Sequence, residues 1–241
     1  MSFFKQHYTI NVSQVNIDGF ITNMGILSLL EDTACKHSDV AGYGFNDIYT
    51  TGLSWILLAW KVKVLKRVKY ADAVTVRTWA RPSKKFTTLR DFDILDKDNN
   101  VICIATTKWT LVDIHKETIT TITDEIINKY SPEDYTVFPD STIEKLVDPK
   151  EYLSEYIYKT QRRDIDINKH MHNLNYLYLA YEALPESVYN SNECDNFEIM
   201  YKNSIRLNDT VKCLYSNIDN SHYITIKSLD DKQLHAIIKL Y

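Results

Sequence analysis

Between Arg163 and Asn173 the chain reads Arg-Asp-Ile-Asp-Ile-Asn-Lys-His-Met-His-Asn. Two carboxylates, two amides and two imidazoles thus fall within ten residues. An apolar periodic run from Leu174 to Ala183 follows, which places this polar chemistry where a helix begins. A first helical turn leaves backbone N–H groups unpaired and carries the positive end of the helix dipole, so it suits a substrate carbonyl that must accept negative charge. An imidazole titrating near neutrality can move a proton beside it. Other readings compete. Asp164, His170 and His172 could ligate a metal, although two residues along a helix start face together poorly. Asp164 and Asn173 could simply cap the turn and the helix.

Composition limits what else the chain could do. Its 241 residues, 44% of them hydrophobic, suffice for one large domain or two small ones with a real core. A net charge of −4 supplies no global field for nucleic acid, and five glycines leave no Gly-rich phosphate loop. No uninterrupted apolar run approaches a membrane span, and Phe3 is preceded by no transit-type segment, so a soluble cytoplasmic protein is expected. Cys35, Cys103, Cys194 and Cys213 are widely spaced and form no Cys-x-x-Cys pair, which favours reduced thiols.

The elements that position the cluster form a repeated grammar. A leading strand over Phe3–Val15, a turn at residues 16–19 and a helix over Met24–Val40 come first. The helix carries Met24, Leu27, Leu30, Ala34 and His37 on one stripe and stops at Gly42 and Gly44. Period-two runs over 53–65, 73–81, 86–95 and 101–114 predict four antiparallel strands. Residues 118–150 hold three prolines and no clear period, which suggests a connector. A strand over 151–163, the polar stretch, a helix to about Leu184 and strands over 197–207, 210–217, 223–229 and 233–241 then repeat the first half. Each lone helix has one place to bury its stripe, the concave face of its own sheet, so an α+β tandem duplication is predicted. Its parts are an N-terminal half at 1–120, a connector at 121–150 and a C-terminal half at 151–241.

A helix wrapped by a curved antiparallel sheet and duplicated in tandem is the double hotdog arrangement. With Asp166-Ile-Asn168-Lys-His170 opening its second helix, the sequence resembles the acyl-[acyl carrier protein] thioesterases of bacteria and plant plastids, the bacterial branch more closely. The family pattern Asp-x-Asn-x-His-x-Asn-Asn-x-x-Tyr is met by Asp166, Asn168, His170, Asn173 and Tyr176, with His172 in place of the first later Asn. Residues 52–57, Thr78-Trp79, Arg90-Asp91-Phe92 and Trp109 match the family's first half.

The resemblance implies thioester hydrolysis that releases fatty acid from acyl carrier protein and its phosphopantetheine arm, with no cofactor and no metal. It implies that Asp166, Asn168 and His170 are catalytic and that the N-terminal half takes the acyl chain. Asp166 is expected to fix the His170 tautomer or share in activation, with N–H groups near His172 and Asn173 holding the oxyanion. The family's glutamate on the next strand falls on Ser204, and a cysteine beside it on Ile205. Ser204 is therefore a candidate for positioning water, and Glu198 is the carboxylate if the register slips. Lys61, Lys63, Lys66 and Arg67 form a candidate patch for an acidic carrier; solvated strand-edge lysines are the alternative. Trp55, Trp79 and Trp109 read as packing, and Arg90-Asp91 as a structural ion pair. Three further readings stay open: an acyl-coenzyme A thioesterase, a non-hydrolysing acyl-thioester-binding module, and a homodimer.

Overall fold

A computed structural model describes residues 3–140, 142–191 and 194–241. They divide into two compact units, Met1–Ile143 and Glu144–Tyr241.

The first unit runs β1 (Phe4–Thr9), α1 (Asn23–Ala41), α2 (Ile48–Thr51), β2 (Leu53–Val64), β3 (Ala73–Ala80), β4 (Thr87–Leu95), β5 (Val101–Asp113), β6 (Thr118–Thr120) and α3 (Asp124–Asn128). Its antiparallel sheet has the order β1-β3-β4-β5-β2, with β6 added along β5. Thr22 caps α1 by accepting the Gly25 N–H at 3.0 Å. The helix ends at Gly42, whose φ of 78° is left-handed and inexpensive only for glycine. Between these ends Leu27, Leu30, Ala34 and His37 are buried, as the stripe predicts. Of residues 118–140, Tyr130 is buried, Glu133 donates its N–H to the Ala80 carbonyl at 2.9 Å, and the Tyr135 carbonyl accepts from Trp79 Nε1.

The second unit repeats the plan with β7 (Ser154–Lys159), α4 (Asn173–Glu182), α5 (Glu186–Tyr189), β8 (Phe197–Tyr201), β9 (Thr210–Ile218), β10 (Ser221–Ser228) and β11 (Leu234–Leu240). The strand order is β8-β11-β10-β9-β7. Register places Phe197, Ile199, Tyr201, Ala236, Ile238 and Leu240 on one face. That face meets α4 where Tyr201 Oη donates to the Asn173 carbonyl at 3.1 Å. The opposite face is met by Asp148, which binds Thr225 and Lys227. Both units are hotdogs, so the predicted fold class holds.

Two local expectations are corrected. Asp166–His170 does not open the helix; it forms a tight turn before it, because hydrogen bonds within the turn outcompete helical ones. Nor do Arg90 and Asp91 pair with each other, since neighbours on a strand point to opposite faces. Arg90 is buried beside His37 Nδ1 at 2.9 Å and under the Tyr130 ring. Asp91, fully buried, accepts from Thr106 Oγ1 at 2.5 Å, and its Oδ2 lies 3.9 Å from Arg81.

Burial pushes the Asp91 carboxyl up to about 6, against the opposing pull of Thr106 and Arg81. A raised carboxyl binds its proton more tightly in the folded state, so its stabilising contribution is present below the unfolded value and is lost as pH rises toward 6. His37 works in the opposite sense, because burial and Arg90 hold it down at about 3. Its contribution is lost as pH falls through the acid range. Subtracting the Asp91→Asn melting profile from the wild-type profile isolates the carboxyl. Relative to the variant, wild type should lose on the order of 1–3 kcal/mol between about pH 4 and 6.5. A flat difference curve refutes the assignment.

Candidate active site

The polar stretch is held by its own short-range bonds. Asp166 donates its N–H to the His170 carbonyl at 2.8 Å, and Lys169 donates to the Asp166 carbonyl at 3.0 Å. This is a type of tight connection in which one residue must be left-handed, and Lys169 takes that role with φ 62°. The Asp166 Oδ1 atom accepts the N–H groups of Asn168 at 2.7 Å and His170 at 3.3 Å, while Oδ2 lies 3.4 Å from Asn168 Nδ2. Bridges from Ile165 to Met171 and from His170 to Arg206 close the turn and join it to the loop after β8.

The helix start completes the arrangement. His172 is the N-cap of α4, its Nδ1 accepting from the Leu174 N–H at 3.4 Å. The His172 N–H is already given to the Asp164 carbonyl at 2.8 Å, so it cannot hold an oxyanion as the sequence suggested. The Asn173 N–H, next along, finds no acceptor among the described residues. Asp164 is buried, accepting from Tyr158 Oη and the Gln161 N–H, both at 2.7 Å. Its carbonyl also takes the Asn175 amide at 3.0 Å, so Asp164 anchors the turn to the helix. Among the described residues no hydrogen bond joins Asp166 to the His170 ring; its Oδ1 is taken by the two backbone N–H groups and its Oδ2 faces the Asn168 amide. The half-exposed ring of His170 has no hydrogen-bond partner among the described residues.

Ser204 lies outside the strand expected to carry it. Strand β8 ends at Tyr201, and residues 202–205 form a loop in which Ser204 is exposed and Ile205 is fully buried. His235, which sequence reasoning missed because it sits in an apolar run, holds this loop through Nδ1 at 3.0 Å from the Asn203 carbonyl. Glu198 is on the β8 face opposite Tyr201, two residues from Met200 and away from the helix start, so a slipped register gains nothing. In the first unit, Lys61 pairs with Asp140 at 2.8 Å, Lys66 with Asp96 at 3.2 Å, and Arg67 is bound internally, leaving Lys63 of that patch.

The first unit contains the same turn without the same chemistry. Asn16 donates to the Phe20 carbonyl at 2.8 Å, Gly19 donates to Asn16 and has φ 78°, and the Asn16 Oδ1 atom accepts from Asp18 at 3.1 Å and Phe20 at 3.0 Å. Position by position, Asn16, Asp18, Phe20 and Thr22 stand where Asp166, Asn168, His170 and His172 stand. The turn therefore needs an Asx side chain but not a carboxylate, and no imidazole. The loop correspondence follows from two N–H bonds, Ile21 to the Val68 carbonyl and Met171 to the Ile205 carbonyl, which make Arg67 the counterpart of Ser204. Arg67 clamps its helix start, donating to the Ile21 carbonyl at 2.7 Å and to Asn23 Oδ1 at 2.8 Å. Serine cannot span that distance, so the second unit's helix start stays open.

With this geometry in view, the comparisons with known proteins agree. Residues 1–130 match the family model for the acyl-ACP thioesterase N-terminal domain, and residues 147–239 match that for the C-terminal domain. The chain belongs to the acyl-ACP thioesterase family. It is 26% identical over 228 residues to oleoyl-acyl carrier protein thioesterase 2 of Arabidopsis thaliana, covering 88% of this chain and 62% of that protein. It is 23% identical to the dodecanoyl-[acyl-carrier-protein] hydrolase of Umbellularia californica, again over 88% of this chain but 58% of the relative. The chain thus spans less than two thirds of these plastid relatives. A solved acyl-ACP thioesterase from Bacteroides thetaiotaomicron superposes with a TM-score of 0.88 at 17% identity, covering 99% and 96% of the two chains. The 12:0-ACP thioesterase of Umbellularia californica gives 0.87 at 18% identity, with the same coverage. Among the described residues no helix is long and apolar enough to cross a membrane.

The clamp can be tested directly. Ser204→Arg should restore both bonds at the second helix start and raise unfolding stability by about 1 kcal/mol. Chemical denaturation of the two proteins measures it, and an unchanged or lower midpoint refutes the correspondence.

Proposed function

We propose that the chain hydrolyses the thioester of acyl-[acyl carrier protein] to release free fatty acid. The observation that carries this reading is the contrast between the two turns: one backbone frame holds Asn16 and Phe20 in the first unit, and Asp166 and His170 in the second. Groups the turn does not need for its shape are those a carbonyl addition needs.

A thioester has a good leaving group, so the main requirements are oxyanion stabilisation and placement of water. In the proposed path the His170 ring takes a proton from water as the water oxygen bonds to the thioester carbon. The carbonyl oxygen becomes an oxyanion beside the Asn173 N–H, at the positive end of α4. Collapse of this intermediate breaks the C–S bond. The proton passes from the imidazolium to the departing thiolate, giving acid and thiol. Asn168, fixed by Asp166, offers its amide to the water or the carbonyl. Asp166 acts through the turn, setting the backbone from which His170 projects. Ser204 leaves room for the substrate and can hold water with its hydroxyl.

His170→Ala should lower thiol release from acyl carrier protein at least a hundredfold with an unchanged melting temperature. Folded mutant with near-wild-type turnover would end the assignment. Asp166→Asn preserves the acceptor oxygen that the first unit uses at Asn16, so the turn should persist. If the carboxylate charge supports the imidazolium, turnover should still fall by about tenfold or more, and equal turnover would reduce Asp166 to a purely structural role. Carrier proteins bearing graded acyl chains, followed for thiol and acid together, separate hydrolysis from binding without release.

A further inference from the structure

The turn of the second unit is ringed by cations. Lys159, Arg162, Arg163, Lys169, Lys202 and Arg206 are all exposed, and they come from the end of β7, the short 3-10 turn Arg162–Asp164, the tight turn itself and the loop after β8. Those segments are tied together, since Thr160 Oγ1 donates to the Arg206 carbonyl at 2.8 Å and His170 bridges to Arg206. The six cations outnumber the three carboxylates in the same segments two to one. Asp164 and Asp166 are occupied as described above, and Asp209 accepts the Arg206 N–H at 2.8 Å. Among the described residues the one ion pair in the ring is Arg163 with Asp164, at 4.0 Å.

The first unit again serves as the internal control. The positions matching these six are Thr9, Val12, Ser13, Gly19, Leu65 and Lys69. The same backbone therefore forms with one cation, and folding does not require the other five. Lys169 shows this most clearly. Its φ of 62° is the left-handed conformation that Gly19 takes without strain, and a side chain there costs about 1 kcal/mol. A chain of net charge −4 thus concentrates net positive charge around one turn.

We infer that this ring docks the acidic surface of the carrier protein that delivers the acyl thioester, in place of the patch of Lys61, Lys63, Lys66 and Arg67, three of which are bonded to residues of their own unit. The inference rests on the hydrolase reading for its choice of partner. Complementary charge of this kind speeds encounter and orients the partner more than it adds affinity at high salt. Exposed Ile167, at the tip of the turn, and Leu207 supply apolar contact within the ring.

The test compares one acyl group on three carriers: acyl carrier protein, coenzyme A, and uncharged N-acetylcysteamine. With Lys159, Arg162 and Lys202 all changed to Glu, KM for the carrier-protein substrate should rise at least tenfold at low salt. Turnover at saturation, KM for the N-acetylcysteamine thioester and the melting temperature should stay constant. Lys169→Gly should weaken the carrier interaction while holding or raising the melting temperature, an outcome that misfolding cannot produce. Direct binding of acyl carrier protein, read as Kd for wild type and both variants, tests docking whether or not any thioester is cleaved. Unchanged Kd and KM for the carrier overturn the inference, as does an equal rise for all three substrates. A rise for coenzyme A matching that for the carrier protein would assign the ring to phosphate instead. Wild type that binds through the ring but cleaves none of the three would instead overturn the hydrolase reading.

Discussion

The bond on which the second unit's site depends is the acceptance of two turn N–H groups by one oxygen of Asp166. Backbone donors at such a bend are costly to leave unpaired, and a short Asx side chain satisfies both without leaving the turn. Once that oxygen is occupied, the path of residues 166–170 is set, the bridge to Arg206 follows, and α4 must start at Asn173. The position of His170 and the open N–H of Asn173 are both consequences of it. The same oxygen thus shapes the turn from which the His170 ring projects.

Much of this was legible in the chain. Period-two and helical periodicities are long-range averages, so α1, the two four-strand runs and the duplication emerged with boundaries close to those observed. What failed was local. Residues 166–170 read as a helix start because an apolar periodic run follows them, whereas the Asx bond and the left-handed Lys169 are conformational facts that composition does not encode. Ser204 was placed on a strand because Phe197–Leu207 alternates, yet β8 stops at Tyr201 when the loop turns to meet the polar turn. Lys61 of β2 is visible as a charge, but its partner Asp140 lies 79 residues along the chain, beyond any local pattern.

The duplicated architecture makes the second half interpretable against the first. Two copies of one turn, built by the same bonds, separate what the backbone demands from what has been added to it. Phe20 and Arg67 fill and clamp the first copy, and His170 and Ser204 open the second. The unit that keeps the clamp has no imidazole at the turn, and the unit that lost it has one, so the two substitutions read as one change of use.

Ile205 has one further consequence, for the chain's reactivity toward electrophiles. The place a thiol nucleophile would take is filled by a fully buried aliphatic side chain, and the four cysteines lie elsewhere. Burial pushes Cys103 and Cys213 up to about 12. Neither supplies appreciable thiolate at neutral pH. Alkylating and oxidising agents that silence cysteine-dependent acyl transferases therefore have no cysteine to attack at this turn.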